Sequence, residues 1–151
     1  MQAAEALAAA AELETPIAVR DDAAMERNLT RMAGLAGAAG IRLRPHAKTH
    51  KSVGVGRRQL ELGACGLTVA TLQEAEVFAA AGVGDLVIAH PPVGRAKLSR
   101  LAHLAERVAG AVLEAGAPRA RSATVTVRKL RPPVPLDLAS AGVTITRPAG
   151  A

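Results

Sequence analysis

The stretch Arg44-Pro45-His46-Ala47-Lys48-Thr49-His50-Lys51 places two primary amines, two imidazoles and a guanidinium within eight residues. A lysine attacks carbonyl carbon only as the free amine. That form is favoured where the ammonium is partly desolvated or crowded by other cations. Lys48, preceded at alternate positions by Arg44 and His46, has neighbours of that kind, so its chemistry would be Schiff-base formation. His46 and His50 are candidates to contact a bound ligand, although a histidine satisfied by its protein neighbours is an equal alternative. His103, within a helical stretch, reads as a surface residue.

A strand over Ile41 to His46 would position these groups. Side chains alternate across a strand, so Ile41, Leu43 and Pro45 point one way and Arg42, Arg44 and His46 the other. The polar row reaches Lys48 if strand geometry persists past Ala47. The competing reading is an edge strand with a solvated basic face, and alternation alone does not choose between them.

Around this strand, short apolar runs alternate with helix-period stretches from Thr15 to Val108, the pattern of strand-helix units around a parallel sheet. Ile17 to Val19 is a short strand. Asp21 or Asp22 then caps a helix with Met25, Leu29, Met32, Leu35, Ala36 and Ala39 on one buried face, ended by Gly40. A helix from about Ser52 to Leu62 follows the second strand and closes at Gly63. The third unit is a strand from Cys65 to Ala70 and a helix from Leu72 to Ala81, stopped by Gly82. The fourth is a strand from Asp85 to Ala89, then His90-Pro91-Pro92 and a helix over about Arg95 to Arg107.

Closed eight-stranded barrels and open doubly wound sheets both use such units and both place chemistry at the C-terminal strand ends. No glycine-rich phosphate turn follows the first strand, which favours the barrel. The expected class is α/β, the first four strand-helix units of an incomplete (β/α)8 barrel with an irregular C-terminal tail.

Composition narrows the function classes. Of 151 residues, Phe78 is the only aromatic; with no Tyr or Trp, phenol-based proton transfer and base stacking are excluded. Cys65 is the only cysteine, which rules out an internal disulfide or a multi-thiol zinc site. The net charge of +6 is uneven: residues 1–108 hold 13 basic and 11 acidic side chains, residues 109–151 hold 6 and 2. The tail also carries five of the nine prolines. Runs such as Arg128-Lys129-Leu130-Arg131-Pro132-Pro133 suit neither strand nor helix interiors, although Ala123 to Val127 and Val143 to Thr146 read as short strands. Residues 1–14 form an expected Ala-rich leader helix with Glu5, Glu12 and Glu14. They have no basic start and no apolar run of spanning length, so a cytoplasmic protein is expected, with no membrane partner.

Arg44 to Lys51 resembles the cofactor-lysine segment of the D-threonine aldolase and D-serine dehydratase family, whose barrel is that of the alanine racemase N-terminal domain. Thr15-Pro16, Glu26-Arg27-Asn28, Gly63-Ala64 and Glu74-Ala75-Glu76 support the resemblance in order, over about residues 15–108. The resemblance implies a lyase of D-amino acid metabolism that uses pyridoxal phosphate, with Lys48 as the Schiff-base lysine and Arg44, His46 and His50 as cofactor contacts. Lys51, past the strand end, reads as a surface or phosphate-approach residue. The implied reaction is retro-aldol cleavage of a D-3-hydroxyamino acid to glycine and an aldehyde, with β-elimination of water as the alternative.

The family also uses a divalent metal, but no histidine follows His103 from which to build its site, so no metal ligand is assigned. The expected division is residues 1–14, a partial barrel over 15–108, and a non-homologous tail over 109–151. Rhythm, charge and proline content all change near Val108, and the expectation is therefore a truncated or frame-shifted, inactive member. Other readings are a noncatalytic pyridoxal phosphate carrier and a binding module whose basic tail meets nucleic acid or an acidic protein. The last is disfavoured by the lack of aromatics. Homo-oligomerisation is expected from strand edges and apolar helix faces that need cover.

Overall fold

The computed structural model describes residues 19–116, 121–130 and 140–150, with Ala8, Ala11, Glu14 and Pro16. The expected leader helix except Ala8, Ala11 and Glu14, the first strand except Val19, and the Pro-rich stretch over 131–139 lie outside the described residues. Among those described, the order is α1 (Asp22–Ala38), α2 (Val53–Glu61), β1 (Leu67–Val69), α3 (Leu72–Ala80), β2 (Leu86–Ile88), α4 (Arg95–Gly116), β3 (Ser122–Leu130) and β4 (Ser140–Pro148).

Local chemistry sets the helix ends. Asp21, Ser52 and Thr71 each accept a backbone N–H from three residues on, at 2.9, 3.4 and 3.2 Å, and so begin α1, α2 and α3. The chain leaves these helices through Gly40, Gly63 and Gly82, at φ of 64°, 97° and 87°.

β1 and β2 pair in parallel, with Leu67 opposite Leu86, Thr68 opposite Val87 and Val69 opposite Ile88. Leu67 and Val69 are fully buried and form a core with Ala47, Leu72, Ala75, Phe78, Val83 and Leu104; Leu86 and Ile88 pack against it. This sheet face meets α3 and α4. By alternation the other face carries His46, Thr68 and Val87, and Val87 is exposed. The single aromatic ring therefore anchors a core otherwise built from aliphatics, and the sheet is apolar on one side and mixed on the other.

Ile41 to His46 departs from expectation. It runs extended beside β1, with bonds from Cys65 N to Leu43 O at 2.9 Å, Thr68 N to Pro45 O at 2.8 Å and Ala47 N to Thr68 O at 2.7 Å. Only His46–Thr68 forms a parallel bridge. Pro45 has no N–H to continue the ladder toward Gly66, so a full strand is not built.

α1 also differs, because none of its residues is buried and Met32 and Leu35 are 53% and 58% exposed. Periodicity identifies a face that wants cover; Met25, Leu29 and Ala36 are half-buried on it, while Met32, Leu35 and Ala39 are exposed. α1 is instead tied to α2 by Arg58, whose Nε donates to Glu26 Oε2 at 2.9 Å.

The last helix runs beyond Arg107 to Gly116. Leu104, Ala105 and Ala109 are buried along it, and an antiparallel β3–β4 hairpin packs against its side. The hairpin register runs from Ser122 opposite Pro148 to Leu130 opposite Ser140. Both strands expected in the tail are present and longer than expected, and Arg128 to Leu130 lie inside β3 rather than in a loop. Backbone pairing along the hairpin outweighs the poor strand preference of that basic run.

Candidate active site

The register aligns three rows across the sheet. Arg44, Gly66 and Asp85 form one; His46, Thr68 and Val87 lie two residues further along; Ala70 and Ala89 fall at the C-terminal end, where Lys48 follows His46 in the chain. Lys48 thus reaches the end where strand-helix folds place their chemistry. Strand geometry does not carry it there, because Ala47 to His50 form a turn closed by Lys51 N donating to Ala47 O at 2.8 Å. Ala47 is buried beneath this turn, while Lys48 and Thr49 are exposed on it. The desolvated surroundings expected for Lys48 are not provided by the described residues.

His46 is beside Lys48. Its Nδ1 accepts the Lys48 backbone N–H at 3.3 Å, which leaves Nε2 to carry the proton of the neutral ring. His90, after β2, places Nδ1 3.2 Å from the Ala70 carbonyl on the same rim. Ala70, Thr71, Leu72, His90, Pro92 and Lys97 contribute to a depression of about 270 Å³ there, at the start of α3.

The other two expected cofactor contacts face elsewhere. Arg44 crosses Gly66 to Asp85, donating from Nη2 to Oδ2 at 2.7 Å and from Nη1 to the carbonyl at 3.2 Å. The hydrogen bond and charge of Asp85 hold the guanidinium's pKa above its ordinary value. This places the group two rows behind the Lys48 end. His50 folds back under the turn, with Nδ1 accepting from Ser52 N at 3.0 Å. Its Nε2 and the Gln59 Oε1 are buried without well-aligned hydrogen-bond partners. Burial lowers the His50 pKa, and the nearby Gln59 side chain partly offsets that effect.

Lys51 and Glu74 complete the rim. Lys51 has φ of 47° and places Nζ 3.4 Å from Glu74 Oε1. Glu74 Oε2 accepts from Ala70 N at 2.7 Å, and this backbone hydrogen bond, followed by Lys51, holds the carboxyl below the usual range. Residue types alone do not single out Glu74. The available signal is the Thr71-x-x-Glu74 capping pattern, whose acid here reaches back to the residue before the cap.

Lys48 presents a solvent-accessible primary amine beside His46, a donor set that fits an aldehyde cofactor. Among the described residues, no group of three or more His, Cys, Asp or Glu is placed to hold a metal ion. No helix among them is long and apolar enough to cross a membrane.

Comparison with known proteins identifies relatives with related chemistry. Residues 21–114 match the alanine racemase N-terminal domain family. The D-threo-3-hydroxyaspartate dehydratase of Delftia sp. (strain HT23) is 53% identical over 77 residues, covering 51% of this chain and 20% of that protein. The D-threonine aldolase of Arthrobacter sp. is 46% identical over 95 residues, covering 63% and 25%. The crystal structure of D-threonine aldolase from Filomicrobium marinum superposes with a TM-score of 0.59 at 38% identity, covering 71% of this chain and 33% of that one. The chain therefore spans about a quarter or less of the curated relatives' length. With the family match extending over more than half of its residues, the chain belongs to the alanine racemase N-terminal domain family.

Proposed function

We propose that Lys48 is the Schiff-base lysine of a pyridoxal phosphate-dependent lyase acting on D-3-hydroxyamino acids, and that residues 15–108 are the first four strand-helix units of its barrel. The observation that carries this reading is the exposed Lys48 amine at the C-terminal end of a segment running parallel to β1. Identity to D-3-hydroxyamino-acid lyases across the same region supports it.

When bound, the cofactor supplies an electron sink for the pair released as a bond to the substrate Cα breaks. Lys48 would hold the group covalently and give it up to the incoming amino acid. His46 fixes the Lys48 backbone through Nδ1. In retro-aldol cleavage the Cα–Cβ bond breaks while the 3-hydroxyl loses its proton, giving an aldehyde and glycine. Elimination of water is the second reading, favoured by the Delftia dehydratase at 53% identity.

The test is incubation of the purified chain with pyridoxal phosphate, borohydride reduction and peptide mapping of wild type and Lys48→Ala. We expect a reduced adduct at Lys48 that is missing from the variant. Equal labelling of Lys48, Lys51 and Lys97 would overturn the reading. If the adduct forms, release of acetaldehyde and glycine from D-threonine separates the aldolase from the dehydratase.

A further inference from the structure

We propose that Lys51 and Glu74 are a positioning pair that latches the turn carrying Lys48 onto the end of β1; the functional side of this proposal rests on the reading of Lys48 above. Lys51 is the one non-glycine residue at positive φ among the described residues, at 47°. A side chain with a Cβ is disfavoured in this left-handed region, and glycine would adopt it without strain. Lysine at this position is thus a local disadvantage that its side chain can offset.

The ammonium has a contact suited to that role. Its Nζ lies 3.4 Å from Glu74 Oε1, while the other carboxylate oxygen holds Ala70 N at 2.7 Å. Ala70 follows β1 directly. The pair therefore links the turn to the strand end. Glu74 is only 13% exposed, so its charge is less screened than that of a surface carboxylate, although Lys51 is 68% exposed. The backbone bond from Lys51 N to Ala47 O closes the same turn from within. Lys48 makes no ion pair among the described residues, so the two lysines divide the work: one anchors and the other is presented.

The experiment compares wild type, Lys51→Met, Lys51→Arg and Glu74→Gln by two readouts. The first is amide hydrogen exchange at Lys51, which needs no cofactor. The second is the rate of the borohydride-trapped adduct at Lys48 with added pyridoxal phosphate. The latch predicts that Lys51→Met and Glu74→Gln each lower Lys51 amide protection about tenfold and slow Lys48 labelling by a similar factor. Lys51→Arg, which keeps the ion pair, is expected to stay within about twofold of wild type on both. Unchanged protection in Lys51→Met and Glu74→Gln would overturn the latch. So would lost protection with an unchanged labelling rate, since the pair would then be structural only. If wild type gives no Lys48 adduct, the functional reading fails, and the exchange data alone decide whether the turn is latched.

Discussion

Individual positions divide by how much neighbouring structure they require. Lys48 stands out because an amine between imidazoles is a local property of eight consecutive residues. The orientation of His50 is not local, since it follows from Ser52 and the buried side of α2. Gly56 gives a sharper case. Inside a helix, replacing glycine by alanine ordinarily gains up to about 1 kcal/mol. A Cβ at Gly56, however, would lie 2.8 Å from Phe78 Cε1 and 2.9 Å from Leu67 Cδ1, two of the most buried side chains. Overpacking of this kind costs about 1–3 kcal/mol. Gly56→Ala is therefore expected to lower the urea midpoint. Gly34→Ala in α1, where nothing lies within 4 Å, is expected to raise it; a stabilised Gly56→Ala would show that the core gives way more readily than this packing implies.

At the level of elements, the caps and stops are written locally, while the partners are not. Asp21, Ser52 and Thr71 begin helices wherever the helices go, because each satisfies an N–H of its own first turn. Thr71→Ala is expected to cost about 1 kcal/mol, read as a lower urea midpoint, whereas Thr71→Ser retains the acceptor and stays near wild type. Equal loss in both variants would mean that the Thr71 methyl, rather than its hydroxyl, supports α3. The shortened second strand shows the limit of alternation as a guide. Pro45 removes a ladder donor and leaves a single bridge, and Ile41 of the expected apolar row is exposed. The final helix shows the opposite error, since the hairpin covers a surface that extends it past Arg107.

For the whole molecule, stability should fall in two pH windows. The folded pKa of His50 is lowered by burial, so between it and the unfolded value of about 6.5 the unfolded chain binds more protons. Stability is complete above that unfolded value and declines as pH falls below it. Glu26, Glu74 and Glu76 are held below the ordinary carboxylate value of 4.5 by Arg58, by the Ala70 N–H and by Arg100 respectively. Their contribution is present above 4.5 and is lost as pH falls through the lowered values. Urea midpoints between pH 8 and 3 should therefore decline in two steps, and His50→Asn should remove the upper one. A variant that keeps the upper step would assign it to another group.

The sequence by itself determined the helix positions, the helix caps, the glycine exits and the eight-residue run that holds Lys48, because each depends on spacings within one turn of the backbone. Only the tertiary structure decided that Arg44 is taken by Asp85, that His50 faces inward and that Glu74 meets Lys51. The two ion pairs depend on the register between segments separated by 20 or more residues, which sets the sheet rows and brings the start of α3 beside the turn, whereas His50 turns in against Ser52 and Gln59. It also decided that α1's apolar face is only partly covered among the described residues. Periodicity specifies which side of a helix is apolar, whereas burial requires a second surface, and no residue within the helix encodes its presence.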